Sequence, residues 1–130
     1  MIKRMDLSGD WAFALDADKT GIEQGIFRSL PTDTITLPGT TSIAKKGTPS
    51  DKKEIGFLTD PYLFEGYAWY AKEITLDKDF KNKNIYLHLE RTRLTRVWVN
   101  DVEVGCRDSL TTPHHYDLTP YIKDNTFRLT

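Results

Sequence analysis

A single cysteine, Cys106, rules out an internal disulfide. It follows a strand-like stretch with no base evident nearby, so it reads as a small packed or half-exposed side chain, not a nucleophile. No apolar run approaches the roughly 20 residues of a membrane-spanning helix, and the opening MIKRMDLSGDW lacks the apolar middle of a signal peptide. These absences leave the compartment open. Neither sign of charge dominates: 18 Lys and Arg stand against 19 Asp and Glu, for a formal net charge of -1. No global field therefore draws the chain to nucleic acid or to an anionic membrane, and neither is expected as a partner. The lysine pairs Lys45-Lys46 and Lys52-Lys53 lie among Gly, Thr, Pro and Ser and read as a solvated loop. Helical periodicity is also scarce, confined to a short stretch over 21–30.

What the chain does have is strand pattern. Its 130 residues suit one domain with a core. WAFAL (11–15) sets large residues at every second position with alanine between them, as in a strand covered on both sides. TITL (34–37) puts Ile35 and Leu37 on one face before Pro38-Gly39 ends it. YAWYAKEITL (67–76) is rich in aromatic and β-branched residues. IYLHLE (85–90) alternates Ile85, Leu87 and Leu89 inward against Tyr86, His88 and Glu90 outward. HHYDL (114–118) and TFRLT (126–130) read as further strands, with a short turn or helical turn at TPYI between them.

The most regular stretch is TRVWVNDVEVG (95–105). A two-residue turn at Asn100-Asp101 pairs Val99 with Val102, Trp98 with Glu103 and Val97 with Val104. That register gathers four valines on one face, with Trp98 and Glu103 on the other. Asn and Asp both tolerate the positive φ of a type I′ turn. Trp98 is expected to pack against another strand or a partner domain instead of holding a sugar. Trp11 and Trp69 are expected in the core.

Many short strands with long excursions between some of them predict an all-β protein, a β-sandwich of jelly-roll or Greek-key type. The irregular segment over 39–66 is long enough to be functional or disordered. TFRLT stops without a turn signal, which suggests a fragment whose exposed sheet edge would self-associate. His114 and His115 are adjacent on a strand and point to opposite faces, so they cannot easily share one metal ion. One ring is expected packed and the other exposed. No metal site and no cofactor are expected.

LSGDWAFALD, GYAWYAKEITL, RVWVNDVEVG and PHHYDLTPYIKDNTFRLT occur in that order. Together they closely resemble the N-terminal sugar-binding domain of family-2 glycoside hydrolases, the group of β-galactosidases, β-glucuronidases and β-mannosidases. The resemblance covers Leu7 to Leu129, with Asp101 in the hairpin where the family commonly has Gly. It implies a jelly-roll sandwich like a galactose-binding domain. It also implies a single domain over 1–130, cut before its last strands and before downstream immunoglobulin-like and catalytic barrel domains. The two carboxylates of these retaining hydrolases would lie in that barrel, so no catalytic residue is expected here. A loop ahead of the Trp-Tyr strand would help wall the active site. DPYLFEGY (60–67) offers Asp60 and Glu65 to accept sugar hydroxyls and Tyr62 to stack on a pyranose face. Two other roles fit the same residues: an autonomous carbohydrate-binding module, and a purely structural interaction domain.

Overall fold

The computed structural model describes residues 4–37, 48–49, 62–63, 66–80, 83–90, 92, 94–109 and 111–130. The chain divides into two compact units, one of Asp6–Ile26 and Leu30–Tyr70, the other of Met1–Met5, Phe27–Ser29 and Ala71–Thr130.

In the first unit, β1 (Gly9–Asp16) buries Trp11 and Phe13, with Ala12 and Ala14 half-buried between them. The alternation of large and small residues is therefore that of a strand with cover on both faces. The chain turns through Lys19, whose φ is 57°, into the one-turn helix α1 (Gly21–Gln24). Gly25, at φ 72°, caps that helix in the left-handed conformation that glycine adopts without strain. β2 (Asp33–Leu37) then pairs antiparallel with β1, setting Ile35 opposite Trp11 and Thr36 opposite Asp10. The Thr36 hydroxyl donates to Asp10 Oδ1 across the pair at 2.7 Å. β3 (Thr48–Pro49) pairs with β4 (Tyr62–Leu63), a two-rung ladder inside the stretch read from sequence as irregular. β5 (Tyr67–Thr75) completes the order β2-β1-β5, with Tyr70 edge-on to Phe13 at 5.2 Å between ring centroids.

In the second unit the latter half of β5 meets β10 (Thr126–Leu129), beyond which lie β7 (Leu94–Val99) and β8 (Val102–Asp108). Phe127 sits opposite Ile74, both buried, and the Thr75 and Thr126 hydroxyls meet at 3.1 Å. A second, two-stranded sheet joins β6 (Tyr86–Leu89) to β9 (His114–Asp117), also antiparallel. On β6 the inward and outward sets are as the alternation predicts: Leu87 buried, Ile85 and Leu89 half-buried, and Tyr86, His88 and Glu90 exposed. A 3-10 turn at Thr119–Tyr121 follows β9.

The two sheets of this unit form a sandwich. β9 turns Tyr116 and His114 towards β7, both nearly solvent-free. The Tyr116 hydroxyl donates to the Thr95 carbonyl at 3.0 Å and lies 2.6 Å from its Oγ1, which is in turn 2.6 Å from His114 Nδ1. His114 Nε2 faces the Ser109 carbonyl at 2.9 Å. A proton on Nε2 and one on Thr95 Oγ1 give every member of this network a partner. Burying Val97, Val99, Leu87 and Phe127 alongside stabilises the sandwich by about 1.5–3 kcal/mol per large side chain.

Candidate functional site

The hairpin departs from its expected register in one place. Val99 pairs with Val102 and Trp98 with Glu103 across Asn100-Asp101, but Val97 pairs with Gly105, not Val104. Val104 is the extra residue of a β-bulge, so two residues of β8 oppose one of β7. The four valines consequently do not share one buried face: Val97 and Val99 are buried, Val104 is half-buried and Val102 is 55% exposed. The bulge brings Gly105 under the Tyr116 ring, where an added Cβ would stand at an ordinary 3.7 Å. Of the two turn residues only Asn100 has positive φ, 53°, whereas a type I′ turn needs both. β8 also runs through Cys106, which is exposed within the strand instead of following it.

Trp98 is 4% exposed, packed as expected, and one ring that covers it comes from a 3-10 turn. Phe27, from a 3-10 turn at Ile26–Arg28, stacks on it with 5.1 Å between centroids and 7° between planes. The Phe27 carbonyl accepts from Arg128 Nε at 2.8 Å, and the same guanidinium pairs with Asp101 at the hairpin tip. Arg128 also exchanges backbone bonds with Asn100: its N–H goes to Asn100 Oδ1 at 3.0 Å, and its carbonyl accepts from Asn100 N at 2.8 Å. This aromatic is locked by its neighbours and has no face left for a sugar.

Trp11 and Trp69 are buried as expected, at 8% and 5% exposure. What the sequence reading missed is the acid beside Trp69. Asp16 is buried, and its carboxylate accepts from Gly21 N at 2.7 Å, Thr20 N at 3.0 Å and Trp69 Nε1 at 3.2 Å. Burial raises its pKa, but the bonds from Gly21, Trp69, Thr20 and the Lys19 amide outweigh that, so the carboxyl lies below its usual range. The signal was available in DADKTG: an acid closing a strand just before turn residues is placed to take the unpaired amides of a helix start. This acid is committed to holding α1 on Trp69. Gly21 is part of the same knot, since a Cβ there would lie 2.6–2.7 Å from Ile26 Cδ1, Asp16 Oδ2 and Trp69 Nε1.

Of the residues expected to meet sugar, Asp60 and Glu65 lie outside the described residues. Tyr62 is described only by its backbone, paired with Pro49. Among the described residues no group of three or more His, Cys, Asp or Glu is placed to hold a metal ion. As expected, one histidine of the adjacent pair is packed and the other exposed: His114 is 2% exposed, while His115 stands outside on β9.

Four sequence motifs thus fall on β1, β5, the β7–β8 hairpin and β9–β10 of an antiparallel β-sandwich, and the whole chain can be compared with known proteins. Residues 4–130 match the family described as glycosyl hydrolases family 2, sugar binding domain. The chain belongs to that family. A β-galactosidase of Thermoanaerobacter pseudethanolicus is 35% identical over 72 residues, 55% of this chain and 9% of the relative. A β-glucuronidase of Formosa agariphila is 34% identical over 61 residues, 46% of this chain and 6% of the relative. Among solved structures, Ruminococcus gnavus β-glucuronidase superposes with a TM-score of 0.73 at 23% identity, covering 95% of this chain and 19% of that one. The same enzyme in complex with uronic isofagomine gives 0.74 at 21% identity, with the same coverage. These likenesses establish the fold: the jelly-roll β-sandwich, similar to a galactose-binding domain, that the motifs predict. The chain spans only about a tenth or less of the curated relatives it matches.

Proposed function

We propose that this family-2 sugar-binding domain is a non-catalytic part of a retaining glycosidase. Its sandwich would pack on the catalytic barrel of the same polypeptide, and its 39–66 segment would contribute Asp60, Tyr62 and Glu65 to the carbohydrate site. The observation that carries this reading is the family match over 127 of 130 residues, set beside relatives many times longer that are glycosidases. One feature of the chain supports it. Its buried carboxylate, Asp16, is held ionised by three donors and turned away from solvent, the opposite of an acid kept protonated for catalysis. Retaining chemistry needs two carboxyls roughly 5–5.5 Å apart, and the barrel of the parent enzyme would hold both.

In this arrangement the domain works by position. Two sheets sewn by the Tyr116–Thr95–His114 network give a platform, and the 39–66 segment would supply the sugar contacts. An acid there would accept sugar hydroxyls and an aromatic would cover an apolar ring face.

The test is kinetic. Asp60→Ala and Tyr62→Ala in the full polypeptide are expected to lower kcat/KM at least about tenfold, the loss of one good polar or stacking contact. The isolated 130-residue chain should show no sugar binding by isothermal titration. Unchanged kcat/KM in both variants would remove the loop from the site. Saturable sugar binding by the chain alone would make it an autonomous carbohydrate-binding module.

A further inference from the structure

We propose that His88 and His115 form a surface site for one divalent transition-metal ion, with Glu90 positioning the first ring. His88 and His115 are directly opposite on β6 and β9. Leu118 N donates to the Ile85 carbonyl, which makes Ile85 and Leu118 a hydrogen-bonded pair. Alternation along an antiparallel ladder then makes His88 and His115 a non-hydrogen-bonded pair, the kind whose side chains lie closer together. Both rings stand on the exposed face of the sheet, away from the sandwich interior.

The nitrogens converge. His88 Nδ1 lies 2.7 Å from His115 Nε2, with ring centroids 4.6 Å apart at an interplanar angle of 69°. The other nitrogen of His88, Nε2, lies 3.0 Å from Glu90 Oε1. A carboxylate accepting from Nε2 fixes the tautomer that leaves a lone pair on Nδ1, aimed at His115. Carboxylate, imidazole and open lone pair in that order are the usual support of a metal-bound histidine, whose second N–H is held by an acid. Without an ion, one proton of His115 fills the space between the two rings. An ion replaces that proton: the neutral His115 ring shifts to its Nδ1–H tautomer, its Nε2 proton passing to solvent while Nδ1 takes one up, and both facing nitrogens donate lone pairs to the metal.

The fit requires the two nitrogens to part slightly and both rings to turn so that their lone pairs meet at the ion. Metal–nitrogen bonds of about 2.0–2.1 Å at tetrahedral or octahedral angles place two ligand nitrogens roughly 2.9–3.4 Å apart, a few tenths of an ångström wider than here. The His88 side chain is 48% exposed and that of Glu90 67%, so both can rotate by that amount without disturbing the core. Two imidazoles select borderline ions such as Zn²⁺, Ni²⁺ or Cu²⁺ over Mg²⁺ or Ca²⁺. Water completes the coordination, since no group of three protein ligands occurs among the described residues. His114, the neighbour in sequence, is inside the sandwich with both nitrogens engaged and takes no part.

The experiment is calorimetric titration of the chain with Ni²⁺ alone, in a Cys106→Ser background so that the exposed thiol does not compete. One ion per chain is expected. His88→Ala and His115→Ala should each weaken binding at least tenfold while leaving the metal-free melting temperature within a degree or two. Glu90→Gln should weaken it about 10- to 100-fold, as loss of a supporting carboxylate does elsewhere. No binding by the Cys106→Ser chain, or binding untouched by either histidine substitution, overturns the site. Full affinity in Glu90→Gln overturns the positioning role of Glu90.

Discussion

Asp16 shows how a polar residue can be structural without being chemical. Its carboxylate satisfies two amides at the start of α1 and the indole N–H of Trp69. Because its folded pKa is depressed, its contribution to stability is fully present above the unfolded value of about 3.9 and is lost as pH falls through the lower folded value. Melting temperature measured between pH 6 and pH 2.5 should therefore fall more steeply for the native chain than for Asp16→Asn below about pH 4. Parallel curves would show that the carboxylate is unlinked to folding. Gly21→Ala is the steric counterpart. Its Cβ would press on the Asp16 carboxylate and the Trp69 ring, neither of which is free to yield. A loss of about 1–3 kcal/mol is expected, read by urea unfolding. At this scale the sequence was only partly legible. Burial of Trp11 and Trp69 followed from strand density, but nothing in DADKTG says that the first Asp reaches an indole 53 residues further along the chain.

At the scale of elements, periodicity carried most of the information. β1, β2, β5, β6, β9 and β10 all fall where alternation and turn signals put them. The hairpin was legible up to its bulge. Local pairing rules continue a register unchanged, and no residue between Val97 and Gly105 signals that Val104 is the extra residue of a bulge. The stacking partner of Trp98 escaped local pattern for a related reason. Phe27, which stacks on it, is more than 70 residues away, in a 3-10 turn within the short stretch of helical periodicity over 21–30. Phe27→Ala should cost about 3–5 kcal/mol. A double-mutant cycle with Trp98→Leu should return a coupling of about 0.5–1.5 kcal/mol beyond simple burial. Additive losses would mean that the stacked geometry adds nothing. Asn100 gives a backbone test. Its φ of 53° is uncomfortable for most residues, and its side chain caps Arg128. Asn100→Ala should therefore destabilise by about 1–2 kcal/mol in thermal or urea unfolding. Asn100→Gly, which relieves the strain but loses the cap, should cost less.

For the molecule as a whole, four short motifs in order were more informative than any single residue. They identified the family because they mark the strand ends and turns that a jelly-roll sandwich must have, and the match over residues 4–130 bears them out. The candidate sugar residues were not legible in the same way. Asp60, Tyr62 and Glu65 sit in a segment without periodicity, so their types suggest chemistry while their positions depend on contacts that no local pattern encodes. The metal pair was invisible for the opposite reason: His88 and His115 are 27 residues apart and become neighbours only through the β6–β9 register. The central claim is that this sandwich positions and does not cleave. Its most direct test is the rate at which the purified 130-residue chain releases p-nitrophenol from aryl β-galactoside and β-glucuronide. The account predicts no release above the buffer rate at any chain concentration. Saturable turnover that scales with chain concentration would contradict it.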